Sequence, residues 1–361
     1  MAVTIYDVAR HAGVSPRTVS NVVNEYAFVS ATTRERVKRS IDALGYLPNL
    51  TARNLRRGRT GMVALVLPEP LHIPYFSELS AFVLDEVAKR SYTAVIEQTD
   101  GDPERERALL SANDRGRLFD GFIFSPLGLN SKEIASLAVK VPVVLLGERV
   151  SSGPFDHVAI DNVGAAKCAV EHLVASGRRR IAAIGHQPYE TGETARLRTQ
   201  GYRETLEAAG LPCDKRLVVP TPLFHRDNGA EAMARLLALA KPPDAVFCYN
   251  DLLAVGALRT LLRAGVRVPE DVAVVGFDDI EEGRYLTPAL TTISPDKQAI
   301  ASLAVKQLFK RLDGDAGRPV DFEVPFRLAV RESTHGAAEA WEEPLLRSKA
   351  RRPSPTTNRT H

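Results

Sequence analysis

The chain has 361 residues, 47 Lys and Arg against 44 Asp and Glu for a formal charge of +3, and three cysteines. That length calls for two or three folded units, and the odd, widely separated Cys168, Cys213 and Cys248 exclude a disulfide framework or a zinc site. The charge is localised: residues 1–60 hold ten Lys/Arg and four Asp/Glu (+6), residues 337–361 carry +2, and the stretch between carries −5, as expected of a polyanion-binding head beside an ordinary soluble domain.

The first predicted helix follows Thr4, which with Asp7 has the spacing of a capping box, and Ile5, Val8, Ala9 and Ala12 repeat at helical spacing. Gly13 breaks it. Ser15 caps a second helix with Pro16 at its first position, and Val19, Val22 and Val23 form an inward stripe that leaves Arg17, Thr18, Asn21 and Asn24 on or near the outer face. A third helix starts near Ser30 or Thr32, with Glu35 placed to complete a box on Thr32. It packs through Val37, Ile41 and Leu44 and ends at Gly45. Two short helices joined at a tight turn, with base-pairing side chains outward, predict a helix-turn-helix that enters a DNA major groove.

From residue 61 the pattern alternates. Apolar runs at Met62–Leu67, Thr93–Ile96, Gly121–Phe124 and Val143–Leu146 are separated by predicted helices over Phe76–Arg90, Pro103–Arg115 and Ser131–Ala138. A second series has strands at Arg180–Ile184, Asp244–Cys248 and Val272–Gly276, with helices over Gly164–Ser176, Ala195–Ala209, Gly229–Leu239 and Leu252–Ala264. Continuous apolar strands between helices predict doubly wound parallel sheets in two similar lobes. Ligands of such sheets bind beyond the carboxyl ends of strands, where Asn250, Asp251, Asp278 and Asp279 fall, so the cleft between lobes is the expected site. No run of eighteen apolar residues occurs and the N-terminus reads as a polar, capped helix, so neither a membrane span nor a secretory signal is expected, and the location is cytoplasmic. There is no phosphate-cradling glycine loop, metal-ligand cluster or nucleophile motif, so no cofactor, no metal and no enzyme activity are expected. Residues 336–361, with Trp341, lack a burial pattern and read as a disordered tail.

Five separated segments carry a resemblance. The head T-I-Y-D-V-A-R-H-A-G-V-S-P-R-T-V-S-N-V-V-N, then L-G-Y-L-P-N-L-T-A-R-N-L-R, C-Y-N-D-L-L-A-V-G, V-V-G-F-D-D and V-R-E-S-T are similar, in order, to motifs of the LacI/GalR-type bacterial transcription regulators, over about Val3 to Thr334. The resemblance implies an N-terminal all-α helix-turn-helix head (1–47) plus hinge (48–60), an α/β two-lobed periplasmic-binding-protein-like core with parallel sheets (61–335), and a tail (336–361). Pro16, Arg17 and Asn21 match positions that read bases, and Tyr6, Ser15, Thr18 and Asn24 match backbone contacts; which base Arg17 and Asn21 each read stays open. Pro48–Arg57 matches a hinge helix that forms in the minor groove when two protomers lie side by side, with Leu55 as the wedge and Asn49, Ala52 and Arg53 holding it.

In the core, Arg198, Asn250 and Asp278 match polar effector contacts, with Tyr75, Phe76 or Phe224 as an aromatic wall. These are suitable types for a sugar ring or a nucleobase. Arg198 also fits a surface partner on its helix, Asn250 a helix cap and Asp278 a turn. Gly147 stands where many sugar-responsive members have an aspartate, and Glu148, its neighbour on a strand, is expected to point away. The implied function is a ligand-controlled transcription regulator: a homodimer on a pseudo-palindromic double-stranded DNA operator, repressing sugar uptake or catabolism genes under a small carbohydrate effector. A nucleobase-responsive regulator is an alternative. A solute-binding component of a transporter is another, opposed by the basic head.

Overall fold

The computed structural model describes residues 3–23, 26–46, 59–111, 118–137, 139–148, 154–188 and 192–335. The chain divides into two units, Met1–Gly61 and Met62–His361.

The first unit holds α1 (Ile5–Ala12), α2 (Pro16–Val23) and α3 (Ala31–Leu44). The Thr4 hydroxyl and backbone N–H donate to the Asp7 carboxylate at 2.6 and 3.0 Å, which holds the Asp7 carboxyl below its ordinary pKa. Gly13 then takes a left-handed φ of 61° and stops α1. Ser15 Oγ accepts the Thr18 N–H at 3.1 Å and opens α2. Of the two starts read for the third helix, Ser30 and Thr32, the structure takes Ser30, and the box of Thr32 with Glu35 does not form. Helix α3 is capped by Ser30, whose Oγ accepts the Thr33 N–H at 3.4 Å, so Thr32 lies inside the first turn, where it has no cap role. Val8, Ala9, Ala12, Val19, Val22 and Val37 make the core of this unit, so each helix is held by its apolar stripe rather than by propensity, which is weak in helices this short.

The second unit runs β1 (Met62–Leu67), α4 (Pro74–Ala88), β2 (Thr93–Gln98), α5 (Pro103–Leu110), β3 (Gly121–Phe124), α6 (Ser131–Ser136), β4 (Val143–Leu146) and β5 (Asp156–Ile160). It continues with α7 (Asn162–Ala175), β6 (Ile181–His186), α8 (Glu193–Ala208), β7 (Val218–Pro220), α9 (Arg226–Leu237), β8 (Ala245–Cys248), α10 (Asp251–Arg263), β9 (Ala273–Phe277) and α11 (Glu281–Tyr285). Last come β10 (Thr291–Pro295), α12 (Lys297–Leu312), β11 (Asp321–Val324), β12 (Phe326–Ala329) and α13 (Glu332–His335). One six-stranded sheet has the order β11-β5-β4-β3-β1-β2 and the other β12-β10-β9-β8-β6-β7. Strands β3, β4, β8 and β9 are buried throughout because helices cover both faces, which is why they read as unbroken apolar runs.

The chain passes between lobes three times, at 160–162, 295–297 and 324–326. Helix α12 therefore follows a strand of the second sheet but packs on the first lobe, setting Ile300, Ala304, Val305 and Leu308 against Val63, Leu65, Leu79 and Val83. Strands β11 and β12 are separated only by Pro325. Strand β11 runs parallel to β5 toward the cleft, and β12 leaves the cleft, so it pairs antiparallel with β10 in an otherwise parallel sheet.

In the second lobe α9 and α10 cross on two glycines. A Cβ at Gly256 would lie 1.8 Å from the Arg226 carbonyl oxygen, and one at Gly229 would lie 2.1 Å from that of Leu253. Backbone touches backbone there. Among the described residues no helix is long and apolar enough to cross a membrane.

Candidate functional site

A cavity of about 280 Å³ opens between the two lobes, lined beyond the carboxyl ends of strands from both sheets. The six residues matched to effector contacts line it: Tyr75 and Phe76 from α4, Arg198 from α8, Phe224 ahead of α9, Asn250 at the start of α10 and Asp278 after β9. Asp251 and Asp279, also at strand ends, do not line it and are held instead by Thr292 and Arg331.

Arg198 is buried, not a surface partner. Its Nε donates to Asn162 Oδ1 at 2.8 Å, one Nη donates to the Tyr249 carbonyl, and the guanidinium carbon lies 3.4 Å above the centre of the Phe277 ring. Burial lowers its pKa, and the neighbouring Asp278 and Glu148 carboxylates oppose that shift. The guanidinium is thereby oriented from behind, and N–H groups remain for the cavity.

Asn250 is both cap and wall. Its Oδ1 accepts the Leu253 N–H at 2.9 Å and opens α10, and its Nδ2 donates to the Phe224 carbonyl at 3.0 Å. One amide hydrogen is left for a ligand.

Asp278 stands in a left-handed backbone conformation, φ 113°, which costs a non-glycine residue about 1–3 kcal/mol and needs external restraint. Its N–H donates to the Ile293 carbonyl at 2.8 Å. The Lys297 ammonium holds the carbonyls of Asp278 and Asp279 at 2.8 and 3.1 Å while reaching the Glu78 carboxylate on α4 at 2.5 Å. Burial pushes the Asp278 carboxyl up to about 7, and Arg198 and Lys297 hold it from rising further. A raised acid favours the folded state in its protonated form, so its stabilising contribution is complete below about pH 4 and is lost as pH rises through about 7. Asp278→Asn should therefore melt with wild type at pH 4 and at least about 2 °C above it at pH 8, read by calorimetric scans without ligand. An offset independent of pH contradicts this.

Glu148 corrects the sequence reading. It lines the cavity, with Oε1 accepting from Asn162 Nδ2 at 2.6 Å and Oε2 from Thr194 Oγ1 at 2.8 Å. Strand alternation does not reach it, because β4 ends at Leu146 and Gly147, at φ 83°, turns the chain. Glu69, two residues beyond β1, also lines the cavity and was missed; its signal was a carboxylate just past a strand end. Burial raises its pKa, partly offset by His225 and His72. Aromatic faces, one oriented guanidinium and several acceptors suit a small hydroxylated ring.

In the head, Tyr6, Ser15 and Arg17 are exposed and Pro16, Thr18 and Asn21 half-buried. Arg17 and Asn21 lie one turn apart on the side of α2 opposite Val19 and Val22. Ser15 Oγ and Thr18 Oγ1 are 2.9 Å apart, so these hydroxyls are tied to each other. Asn24, Asn49, Ala52, Arg53 and Leu55 lie outside the described residues.

Residues 4–49 match the family described as bacterial regulatory proteins, lacI family, and residues 170–334 match the periplasmic binding protein-like domain. The chain is 35% identical over 311 residues to the ribose operon repressor of Escherichia coli, covering 86% of this chain and 93% of that protein. It is similar to the structure of a transcriptional regulator CelR–cellobiose complex, with 34% identity and a TM-score of 0.68 over 92% of this chain and 99% of that one. The lac repressor dimer bound to operator and an anti-inducer is similar at 27% identity and a TM-score of 0.78, over 92% and 99% of the two chains.

Proposed function

The chain belongs to the LacI family of bacterial regulatory proteins, which are DNA-binding transcription regulators, and on that premise we propose that it is a homodimeric repressor of sugar uptake or catabolism genes, controlled by a small carbohydrate. The observation that carries the reading is the convergence of Arg198, Asn250 and Asp278 with the Tyr75, Phe76 and Phe224 rings on one interlobe cavity, in a chain whose N-terminal segment is a basic helix-turn-helix. At about 280 Å³ the cavity lies near the lower end of ligand pockets, which span about 300–1,000 Å³, and so fits one or two sugar rings. The cellobiose complex and the ribose operon repressor support a sugar as the class. The operator-bound lac repressor dimer supports two heads on one site.

On DNA, Arg17 and Asn21 read base edges, Pro16 adds an apolar contact, and Tyr6, Ser15, Thr18 and Asn24 hold the backbone. Asn49, Ala52, Arg53 and the Leu55 wedge form the hinge contacts. Boundaries at 47, 60 and 335 separate head, hinge, core and tail. Two recognition helices on a two-fold axis demand a pseudo-palindrome, since one helix covers too few bases for specificity. Footprinting upstream of the chain's own gene should show two symmetric protected half-sites. Arg17→Ala should lower discrimination at one base pair per half-site by about 1–3 kcal/mol while leaving nonspecific binding in place. Protection of one asymmetric half-site, or unchanged discrimination, overturns the assignment.

A further inference from the structure

Five acidic or basic side chains line the cavity among the described residues: Glu69, Glu148, Glu193, Asp278 and the single cation Arg198. Three of them are already engaged. Glu148 is held by Asn162 and Thr194, Glu193 by Arg196, and Arg198 by Asn162 and the Tyr249 carbonyl. The Glu69 and Asp278 carboxylates have no hydrogen-bond donor among the described residues. Glu69 follows β1 in one lobe and Asp278 follows β9 in the other, so two unpaired acceptors face one cavity from its two walls.

We infer that Glu69 and Asp278 select the charge of the effector: the cavity takes an uncharged polyhydroxylated molecule that donates O–H groups to both carboxylates, and it rejects phosphorylated or carboxylated sugars. This rests on the proposed carbohydrate reading and adds a residue and a sign to it. An ionised carboxylate only accepts, so at pH 8, above the Asp278 titration near 7, it matches hydroxyls and leaves an anion without a donor. An anionic group in this small, partly enclosed space meets up to four carboxylates and one guanidinium that is already committed on two sides. Repulsion between like charges is strong where water is excluded. The aromatic wall of Tyr75, Phe76 and Phe224 covers the less polar face of a ring, which needs no charge for recognition.

The test uses the full-length chain at pH 8, thermal shift and calorimetric titration, and matched panels of neutral pentoses, hexoses and disaccharides against their phosphorylated and acid counterparts. A neutral member should bind, with its anionic counterpart at least about 100-fold weaker. Glu69→Gln should weaken the neutral ligand about tenfold and narrow the gap to the anionic one by about tenfold or more, because an amide supplies a donor where the carboxylate repels. Preferential binding of a phosphorylated member overturns the charge rule and leaves the carbohydrate reading intact. Binding by no member of either panel overturns both. A Glu69→Gln variant that folds as wild type, judged by its melting temperature, and binds both forms unchanged removes Glu69 from the selection.

Discussion

Replacing Arg198 by alanine should abolish the response of operator binding to the sugar while leaving ligand-free operator binding intact. The guanidinium is buried, donates to Asn162 and the Tyr249 carbonyl, lies over Phe277, and opposes the Asp278 carboxylate across the cavity wall. Removing a hydrogen bond from a charged group to the ligand costs about 1.5–3 kcal/mol, roughly tenfold to 150-fold in affinity. A ligand shifts the DNA-bound population only by its differential affinity for two arrangements, so a loss of that size removes the coupling. Arg198→Lys keeps the charge and loses the fork, and should recover little. The check is calorimetry with a sugar that alters operator binding by wild type, with melting temperature as the folding control. Equal affinity for wild type and Arg198→Ala would falsify the assigned site.

The largest loss of stability is expected at Gly256. Helices α9 and α10 approach so closely that a methyl there meets the Arg226 carbonyl oxygen at 1.8 Å and the Ala230 nitrogen at 2.7 Å, both main-chain atoms of a packed helix. Helix propensity alone would favour alanine by about 1 kcal/mol. The clash runs the other way, and since neither backbone can yield without separating the helices it should reach about 3 kcal/mol or more. Gly256→Ala should then lower the core melting temperature by on the order of 6–12 °C. A melting temperature at or above wild type would mean that the helices part without cost.

The parts that were legible in the sequence are those whose burial is complete. Met62–Leu67, Gly121–Phe124 and Val143–Leu146 form strands with the limits read from their apolar runs, because both faces are covered and no residue type interrupts them. Strands β5, β10 and β11 carry Asp156 and His157, Thr291 and Thr292, or an exposed alternation as in Asp321–Val324, and they do not stand out from loop composition. Helix α12 did carry an apolar stripe, yet its membership in the first lobe follows from a pairing of β11 with β5 across more than a hundred residues, which no local pattern encodes. At the site, side chains projecting from strand ends were visible as polar residues after apolar runs. The position of Glu148 was not, since it depends on a single glycine torsion at Gly147. The network behind Arg198 joins residues 162, 198 and 249 and is equally nonlocal.

The triple passage of the chain between lobes bears on its biosynthesis. The first lobe starts at β1 but lacks α12 and its edge strand β11 until residue 324 has been made, by which time the second lobe is nearly whole. At about 5–20 residues per second, the interval between the first and last strands of that sheet is tens of seconds. Throughout it, Val63, Leu65, Leu79 and Val83 await Ile300, Ala304 and Leu308, which are still inside or behind the ribosome. The lobe that begins first is completed late, so the nascent chain presents an open apolar groove to chaperones during synthesis, and a cut on either side of residue 296 yields two fragments of which neither is a lobe.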